Sequence, residues 1–510
     1  METPSRRAFL GQLGAAGAIG LESRTGLAGE ADTSPQESAA QAKPPARRKG
    51  MVGIQIGAVS FVDEGVDKAL DTLQERAGVN AIMISVFTYS YGSEGRQQPG
   101  AFSDHGLQTS NVDTFHGGNY AAIHPEYYKD NVFGNFRAPD LGDFDVFEAV
   151  IPKAKARGIK TFAWCEDQAK PQYVTQFEKG AEVDVDGKST GQMCLNNPYV
   201  HSFFASMEED WIKSHPIDGV MFGSERQGPF GNAIGAKHGR MGGSAPLTCF
   251  CTYCAKKGRD RGIDVDRARE GYKLLRQWVA GARAGSRPTD GYFVTFWRLL
   301  LKYPEILAWE QMWSDNQQEL YSLIYGTAKN INHNLQVGFH VWHNNSFSPF
   351  YRAEQDYWAL RQSADFLKPV VYNNCAGPRM VEYIHNVQST VFRDNPPEEV
   401  LDWHYDVLGY KGEASLRQLP AAGLSSKYVA EETARAVAGV KNEIPICPGI
   451  DINVPTAKGE KTTEPADVRA AVEGALIAGA SGVILSRKYY EMTLANLSAA
   501  GEVFRSAGLA

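Results

Sequence analysis

The chain has 510 residues, of which 43% are hydrophobic and 22% are charged, a composition typical of globular proteins that bury a large core. Its formal net charge is -7 and its pI is about 5.9. The chain therefore lacks the excess of Lys and Arg on which nucleic-acid binding depends, and we expect no nucleic-acid partner.

The first residues are typical of an export signal. Arg6 and Arg7 fit the twin-arginine pattern, and the apolar stretch behind them is too short to span a bilayer. The pattern predicts a twin-arginine signal peptide over residues 1–30, and the Ala, Pro, Ser and Lys content of residues 31–50 predicts a disordered linker. We expect the twin-arginine (Tat) export machinery as a partner, a periplasmic or extracellular location, and no membrane span.

Eight short apolar runs follow the linker, and each ends in polar or aromatic residues. They span residues 52–61, 80–89, 159–168, 218–227, 335–345, 366–375, 444–453 and 481–490. Because helix-compatible segments precede most of them, the pattern predicts a (β/α)8 TIM barrel over residues 51–510. A doubly wound open sheet is the alternative, but it usually needs a Gly-rich phosphate turn after an early strand, which this chain lacks.

Two connections between these runs are long. About seventy residues rich in Tyr, Phe, His, Asn and Gly follow the second run. About a hundred residues follow the fourth run, so we expect an insertion at about residues 228–330. Since the loops after barrel strands form the catalytic face, both insertions are expected to lie there.

The insertion after the fourth run carries a C-x-C-x-x-C cluster formed by Cys249, Cys251 and Cys254. Thiols this close predict a structural metal site, with zinc as the candidate ion. The candidates for a fourth ligand are Cys194, His238 and His215. A local disulfide with one free or distantly paired thiol is the alternative in an oxidising compartment. We favour a structural role, because catalytic groups are expected directly at strand ends.

The segment IDGVMFGSERQGPF, residues 217–230, is the most informative part of the chain. An apolar run there ends in Ser224, Glu225 and Arg226, which places a carboxylate at the carboxyl end of a predicted strand. Barrel enzymes hold their catalytic groups at that end, so Glu225 is a catalytic candidate. The alternative is a loop-mouth ion pair between Glu225 and a neighbouring arginine.

The other predicted strand ends bring carboxylates, amides, histidines and aromatic rings to the same face. The further candidates for catalysis or substrate binding are Trp164, Glu166, Asp167, Arg226, His340, Trp342, His343, Asn344, Tyr372, Asn373, Asp451, Asn453, Arg487 and Tyr489. Such a set suits carbohydrate chemistry, in which a carboxylic acid protonates the glycosidic oxygen and a carboxylate attacks the sugar or activates water. G-x-S-x-G, H-E-x-x-H and P-loop motifs are missing from the sequence.

The export signal, the eight runs, the DGVMFGSERQGP segment and the CFCTYC cluster resemble a family of hypothetical glycosyl-hydrolase-like barrels from exported bacterial proteins. That family is distantly related to glycoside hydrolases of the α-amylase and α-fucosidase type. The resemblance covers most of residues 51–510 and implies a catalytic carboxylate at Glu225. The amylase pattern has a Glu on its fifth strand, whereas this chain has His340 and His343 there.

We therefore expect a glycoside hydrolase that acts on a small-molecule or oligosaccharide substrate by a two-carboxylate, retaining mechanism, with no cofactor required for catalysis. Two assignments are open. In the favoured one, Glu225 is the acid/base and Asp451 on the seventh strand is the nucleophile. In the other, Glu225 is the nucleophile and Glu166 or Asp167 is the acid.

Two further functions fit the same residues. A sugar isomerase or epimerase would hold Mn²⁺ or Mg²⁺ with Glu166, Glu225, Asp451 and His340. A non-catalytic barrel would bind carbohydrate without turnover. Loss of activity to a chelator, with recovery on adding Mn²⁺, distinguishes the metal-dependent enzyme from a hydrolase.

Overall fold

The computed structural model describes residues 50–97, 103–167, 178–239 and 246–509. The predicted signal peptide and, apart from Gly50, the predicted linker lie outside these residues. Within the described segments, no helix is both long enough and apolar enough to cross a membrane.

Eight parallel strands form a barrel. They are β1 Met51–Gly57, β2 Ala81–Thr88, β3 Lys160–Glu166, β4 Gly219–Gly223, β5 Gln336–Val341, β6 Phe366–Pro369, β7 Gly449–Asp451 and β8 Gly482–Ser486. Strand β1 pairs with β2 on one side and β8 on the other, and single bridges from Leu367 to Ile446 and from Val370 to Gly449 join β6 to β7. The predicted (β/α)8 barrel is confirmed, and each apolar run coincides with one of its strands, although β1 begins one residue before its run.

The helices follow in chain order. They are α1 Ala58–Glu64, α2 Val66–Ala77, α3 Tyr91–Glu94, α4 Val146–Ala156, α5 Pro198–Ser214, α6 Pro229–Ile234, α7 Thr252–Asp260, α8 Val265–Arg283, α9 Tyr292–Lys302, α10 Glu305–Ile331, α11 Pro349–Glu354, α12 Tyr357–Leu360, α13 Asn373–Gln388, α14 Pro397–Leu408, α15 Leu419–Ala422, α16 Ser426–Gly439, α17 Pro465–Ile477 and α18 Leu494–Ser506. Helices α16, α17, α18 and α2 pack side by side, as do α5 and α10. The sequence marks several starts: Asn197 caps α5 by accepting a hydrogen bond from the N–H of Tyr199, one residue after Pro198.

Long connections extend from the carboxyl ends of three strands. After β2, the short strand Gly118–Asn119 pairs antiparallel with the end of β2. After β4, helices α6 to α9 precede α10, and α7 begins within the cysteine cluster. The extension after β3 is a hairpin of Ala181–Val183 and Ser189–Met193, which the apolar runs of the sequence do not predict. Its turn is stabilised by Asp184, whose side chain accepts hydrogen bonds from two backbone N–H groups.

The interior of the barrel changes from apolar to polar along its axis. The apolar part is filled by Ala81, Met83, Phe162, Met221, Phe366, Cys447 and Ile484, with Trp164 above them. Because strand side chains alternate between faces, residues two positions further along these strands also point inward. The polar layer formed in this way includes Gln55, Ser85, His340, Lys368 and Ser486, all buried. This layer is the floor of the candidate site.

Candidate active site

The carboxyl ends of the barrel strands enclose an inner cavity of about 90 Å³. It is lined by Gln55, Ile56, Ser85, Ser90, Gly92, Ser93, Trp164, Glu166, Glu225, His238, His340, Tyr372, Arg379, Arg487 and Lys488. An outer cavity of about 490 Å³ lies beside it, and both cavities are lined by Glu225 and His238. The two cavities therefore meet at Glu225 and form one cleft.

A cavity of about 620 Å³ lies at the opposite end of the barrel and is lined by residues such as Met51, Phe366 and Cys447. It is larger than the inner cavity, but the described residues that line it carry no side-chain carboxyl group or histidine. Acid–base chemistry therefore requires the cleft at the carboxyl ends of the strands, where active sites of such barrels lie.

Glu225 follows β4 and is held by His340 at the end of β5. Oε1 of Glu225 lies 2.9 Å from Nε2 of His340. The side chain of Glu225 is 35% exposed, whereas that of His340 is 4% exposed, so the carboxylate faces the cleft and the imidazole supports it from behind. Burial raises the pKa of Glu225, but the hydrogen bond from His340 and neighbouring positive charges outweigh burial and lower it to about 2. Glu225 is thus ionised at neutral pH.

The tautomer of His340 is set by Lys368 in the floor of the cavity. Nζ of Lys368 donates a hydrogen bond to Nδ1 of His340 at 3.1 Å, and it also reaches Gln55 at 2.6 Å and Tyr372 at 3.2 Å. Burial and the charge of Lys368 lower the pKa of His340 to about 4, so the imidazole is neutral at pH 7. With Nδ1 accepting, the proton is on Nε2, which donates to Glu225.

Glu166, the last residue of β3, provides the second carboxyl group of the inner cavity. Its Oε2 accepts a hydrogen bond of 3.4 Å from Ser93. Burial, followed by the negative charge of Glu225, raises the pKa of Glu166 to about 8. Glu166 is therefore protonated at neutral pH, the opposite state to that of Glu225.

Three more of the sequence candidates line the inner cavity. The indole of Trp164 lies 5.2 Å from the ring of His340, and Tyr372 contacts Lys368 from the other side. Arg487 forms a two-point ion pair with Glu491 at 2.6 and 2.9 Å. Trp342 and Arg226 line the outer cavity instead.

Gly223 leaves the space that the side chains of Trp164 and His340 occupy beside Glu225. A Cβ atom there would lie 2.7 Å from the indole of Trp164 and 3.0 Å from Cβ of His340. A side chain at this position would displace both rings from the wall beside Glu225.

Asp451, at the end of β7, is fully buried and does not line either cavity. One of its carboxylate oxygens accepts hydrogen bonds from the N–H of Val454 at 2.8 Å and the hydroxyl of Thr463 at 3.0 Å. The other accepts from the N–H of Cys375 at 3.2 Å. These bonds join the end of β7 to the start of α13.

Asp167 and Arg226 are joined in a buried ion-pair network. Arg226 lies 2.9 Å from Asp167 and 2.6 Å from Glu182, and it also donates to the carbonyl of Met193. Ser224 donates to Asp167 at 2.9 Å. The network fixes the hairpin that follows β3 against the end of β4.

The remaining candidates are buried outside the inner cavity. His343 contacts Tyr428 and Arg379, and Asn344 contacts Gln227 and the carbonyl of Ala236. Asn373 contacts the carbonyl of Leu424, Asn453 contacts Thr493 and Asn496, and Tyr489 contacts Glu64. Their hydrogen bonds fix the loops around the cleft.

Several residues of the inner cavity are not among the catalytic or substrate-binding candidates from the sequence, among them His238, Arg379 and Lys488, and also Lys368 in its floor. The position of Lys368 in the barrel interior can be predicted from the sequence, because Lys368 follows inward-facing Phe366 by two positions within an apolar run. The positions of Arg379 and His238 cannot be predicted in this way, because each lies within an extension after a strand whose path depends on tertiary packing.

The cysteine cluster forms a separate site next to the outer cavity. Cys194 joins the predicted Cys249, Cys251 and Cys254, and their four sulfur atoms lie within 4.8 Å of one another, all buried. Sγ of Cys194 is 3.6 Å from that of Cys251 and 3.5 Å from that of Cys254. Tetrahedral zinc with Zn–S bonds of 2.3 Å would separate its sulfur ligands by about 3.8 Å, so the four residues fit zinc. All seven cysteines of the chain are free thiols in this structure.

The fold is similar to solved structures of glycoside hydrolases. The β-galactosidase from the psychrophilic Marinomonas ef1 aligns with a TM-score of 0.50 at 10% identity, over 90% of this chain and 61% of that one. The β-galactosidase from the haloarchaeon Halorubrum lacusprofundi aligns with a TM-score of 0.48 at 13% identity, over 89% and 57%. The α-L-fucosidase isoenzyme 2 from Paenibacillus thiaminolyticus gives 0.46 at 13% identity, over 90% and 49%.

The chain thus spans 49 to 61% of the length of these three proteins. At such identities the similarity shows the barrel fold alone. No family model matches the chain, and no curated protein sequence matches it.

Proposed function

We propose that the protein is a glycoside hydrolase in which Glu225 is the nucleophile and Glu166 is the acid/base residue. The observation that carries the proposal is that both carboxyl groups line one small cavity and have pKa values shifted in opposite directions, to about 2 and about 8. Glycosidic cleavage needs one ionised and one protonated carboxyl group at the same pH. Asp451 has a structural role in this proposal.

The first step breaks the glycosidic bond. Glu166 gives its proton to the glycosidic oxygen while the carboxylate of Glu225 attacks the anomeric carbon, so that the aglycone leaves as an alcohol and an ester to Glu225 forms. In the second step, water attacks the anomeric carbon and gives a proton to Glu166, while the ester bond to Glu225 breaks and Glu225 leaves as the carboxylate. The product sugar then leaves with retained configuration, and both carboxyl groups return to their starting states.

The electrostatic coupling of the two groups favours this cycle. The negative charge of Glu225 raises the pKa of Glu166, and esterification removes that charge. The pKa of Glu166 therefore falls when the group has to act as a base. His340 positions the nucleophile, because its N–H donates a hydrogen bond to one oxygen of Glu225 and leaves the carboxylate directed into the cleft.

The two cavities suggest how a substrate would lie. The sugar ring to be cleaved would occupy the inner cavity beside Trp164 and Tyr372, and the leaving group would extend into the outer cavity beside Trp342. A leaving group of that size fits an oligosaccharide or a large aglycone.

We also propose that the four cysteines bind a structural zinc ion, and that the twin-arginine pattern at Arg6 and Arg7 directs export to the periplasm or the exterior.

The sugar isomerase alternative has less support from the geometry. Among the described residues, only the four cysteines bring three or more ligand atoms together. The carboxylate of Asp451 is bound to backbone N–H groups outside the cavity that holds Glu166, Glu225 and His340. The alternative of a non-catalytic binding barrel predicts that Glu225→Gln keeps its affinity for sugars and that the wild type turns over no glycoside.

A screen of aryl glycosides and oligosaccharides against the purified protein tests the proposal, with Glu225→Gln as the key variant. We expect this variant to fold normally and to lose activity by about 10²- to 10⁴-fold or more. Glu75→Gln, on the exposed face of α2, is the matched control and should keep full activity. Retention of more than about a tenth of the activity by Glu225→Gln would remove Glu225 from the mechanism.

A further inference from the structure

Arg379 on α13 brings a positive charge to the inner cavity. Its Nη1 donates to Nδ1 of His343 at 2.8 Å, and His343 in turn donates from Nε2 to Tyr428. Burial lowers the pKa of His343 well below its usual value, so this partner is neutral. Among the described residues, Arg379 forms no ion pair with a carboxylate. Its charge is therefore not neutralised by a direct partner.

The other charged groups of the cavity do not neutralise the positive charge of Arg379. Arg487 and Lys488 share the carboxylate of Glu491, at 2.6 and 3.9 Å. Lys488 also donates to the carbonyl of Gly95 at 2.6 Å. The cations Arg379, Arg487 and Lys488 thus outnumber the two carboxylates, Glu491 and Glu225, because Glu166 is protonated. Burial lowers the pKa of Lys368 in the floor to about 7, so this residue adds only part of a positive charge at neutral pH.

We propose that the inner cavity takes a sugar that bears a carboxylate, as uronic acids do, and that Arg379 binds this carboxylate. The inference rests on the proposed glycosidase function, since it identifies the sugar that this site would cleave. A guanidinium group matches a carboxylate in geometry and donates two parallel hydrogen bonds to it. A neutral sugar would exclude water from Arg379 without supplying a counter-charge, which is costly in a confined cavity.

The size of the cavity limits where the carboxylate can be. Arg379 and Glu225 line the same space of about 90 Å³. The group bound by Arg379 and the anomeric carbon attacked by Glu225 must therefore belong to one sugar ring. This excludes substrates whose only acidic group lies on a sugar remote from the cleaved bond.

Binding to the catalytically silent Glu225→Gln variant tests the inference without turnover. Isothermal titration with glucuronate and galacturonate should give affinities about tenfold or more above those for glucose and galactose. The wild type should likewise prefer 4-nitrophenyl uronides to the matching neutral glycosides. Equal affinity of the Glu225→Gln variant for acidic and neutral sugars would overturn the inference.

Arg379→Gln is the discriminating variant, because it removes the charge and keeps an N–H donor for His343. In the Glu225→Gln background it should bind acidic and neutral sugars alike. Arg417→Gln is the matched control, since Arg417 is exposed and lies outside both cavities. An unchanged preference for acidic sugars in Arg379→Gln would overturn the role of Arg379.

The two proposals fail differently. If acidic sugars bind through Arg379 but the wild type cleaves no glycoside, the hydrolase proposal fails and the binding of a carboxylate stands. If neutral glycosides are cleaved with no preference for uronides, the hydrolase proposal stands and the inference about the sugar fails.

Discussion

Glu166 lies in register with Gly223 on the neighbouring strand, and Gly223 precedes Glu225 by two residues. The carboxyl groups of Glu166 and Glu225 therefore line the same cavity. The negative charge of Glu225 contributes to the raised pKa of Glu166. The hydrogen bond from His340 helps to lower the pKa of Glu225, and burial together with the charge of Glu225 keeps the proton on Glu166. The protonation states that catalysis needs are thus produced by the pairing of β3, β4 and β5.

The roles of the two carboxyl groups can be separated by chemical rescue. We expect Glu166→Ala to cleave substrates whose leaving group needs no proton and, with azide, to give a glycosyl azide of retained configuration. Glu225→Gly should instead give the inverted azide, because azide then occupies the space of the missing carboxylate. NMR of the products distinguishes the two outcomes. An inverted azide from Glu166→Ala would exchange the roles.

The pH dependence of catalysis should follow the two pKa shifts. Glu166 must be protonated to act as the acid, and its pKa is raised to about 8, so kcat/KM should fall as the pH rises through 8. Glu225 must be ionised, and its pKa is lowered to about 2, so no acid limb from Glu225 is expected above pH 3 or so.

A matched substrate provides the control for this profile. With 2,4-dinitrophenol as the leaving group, the first step needs no proton from Glu166, and the alkaline limb should disappear from kcat/KM. A limb that persists with this substrate would mean that another group titrates, such as Lys488, whose pKa burial lowers to about 8.

Much of the fold could be predicted from the sequence because the signals are local. Short apolar runs and the segments between them give eight strands and the barrel, since every residue of β2, β4 and β8 is buried. The hairpin after β3 is not predicted from the sequence, although its turn around Asp184 is stabilised by local hydrogen bonds.

The site is less predictable because its partners are distant in sequence. Asp451 and Glu225 look alike in sequence, as carboxylates at the ends of apolar runs. Only the positions of Cys375 and Thr463 show that Asp451 accepts three hydrogen bonds within the protein. Glu225, by contrast, meets a single imidazole and remains partly exposed.

Asp451→Asn should therefore affect stability more than catalysis. The variant replaces one acceptor oxygen by an NH2 group, which leaves a buried donor without an acceptor at a cost of about 1–3 kcal/mol. We expect a lower free energy of unfolding in urea and a kcat within about tenfold of the wild type. A stable but inactive Asp451→Gly variant that azide restores, with an inverted product, would make Asp451 the nucleophile.

Lys368 is expected to act on catalysis through His340. In Lys368→Met, Nδ1 of His340 loses its donor, so the proton can move from Nε2 to Nδ1 and Glu225 loses its hydrogen bond. We expect kcat to fall by about tenfold or more, with little change in KM. Lys68→Met, on the exposed face of α2, should change neither constant.

Nitrogen-15 NMR of the histidines provides the readout that a general loss of packing would not give. The wild type should show His340 as the Nε2–H tautomer at neutral pH, and Lys368→Met should shift it toward Nδ1–H. An unchanged tautomer together with reduced kcat would mean that Lys368 acts by another route, such as its contact with Gln55.

The four cysteines give the last prediction, in which metal content is linked to the shape of the outer cavity. We expect about one zinc per chain, and Cys194→Ser should lower the zinc content and the melting temperature. Cys447→Ser is the control, because Cys447 is buried in the barrel interior, away from the cluster, and its loss should leave the zinc content unchanged. Pro246 and Thr248, next to the cluster, line the outer cavity. Loss of zinc should therefore raise KM for oligosaccharides more than KM for small aryl glycosides. Folded protein without metal, with two of these thiols joined in a disulfide by mass spectrometry, would contradict the zinc site.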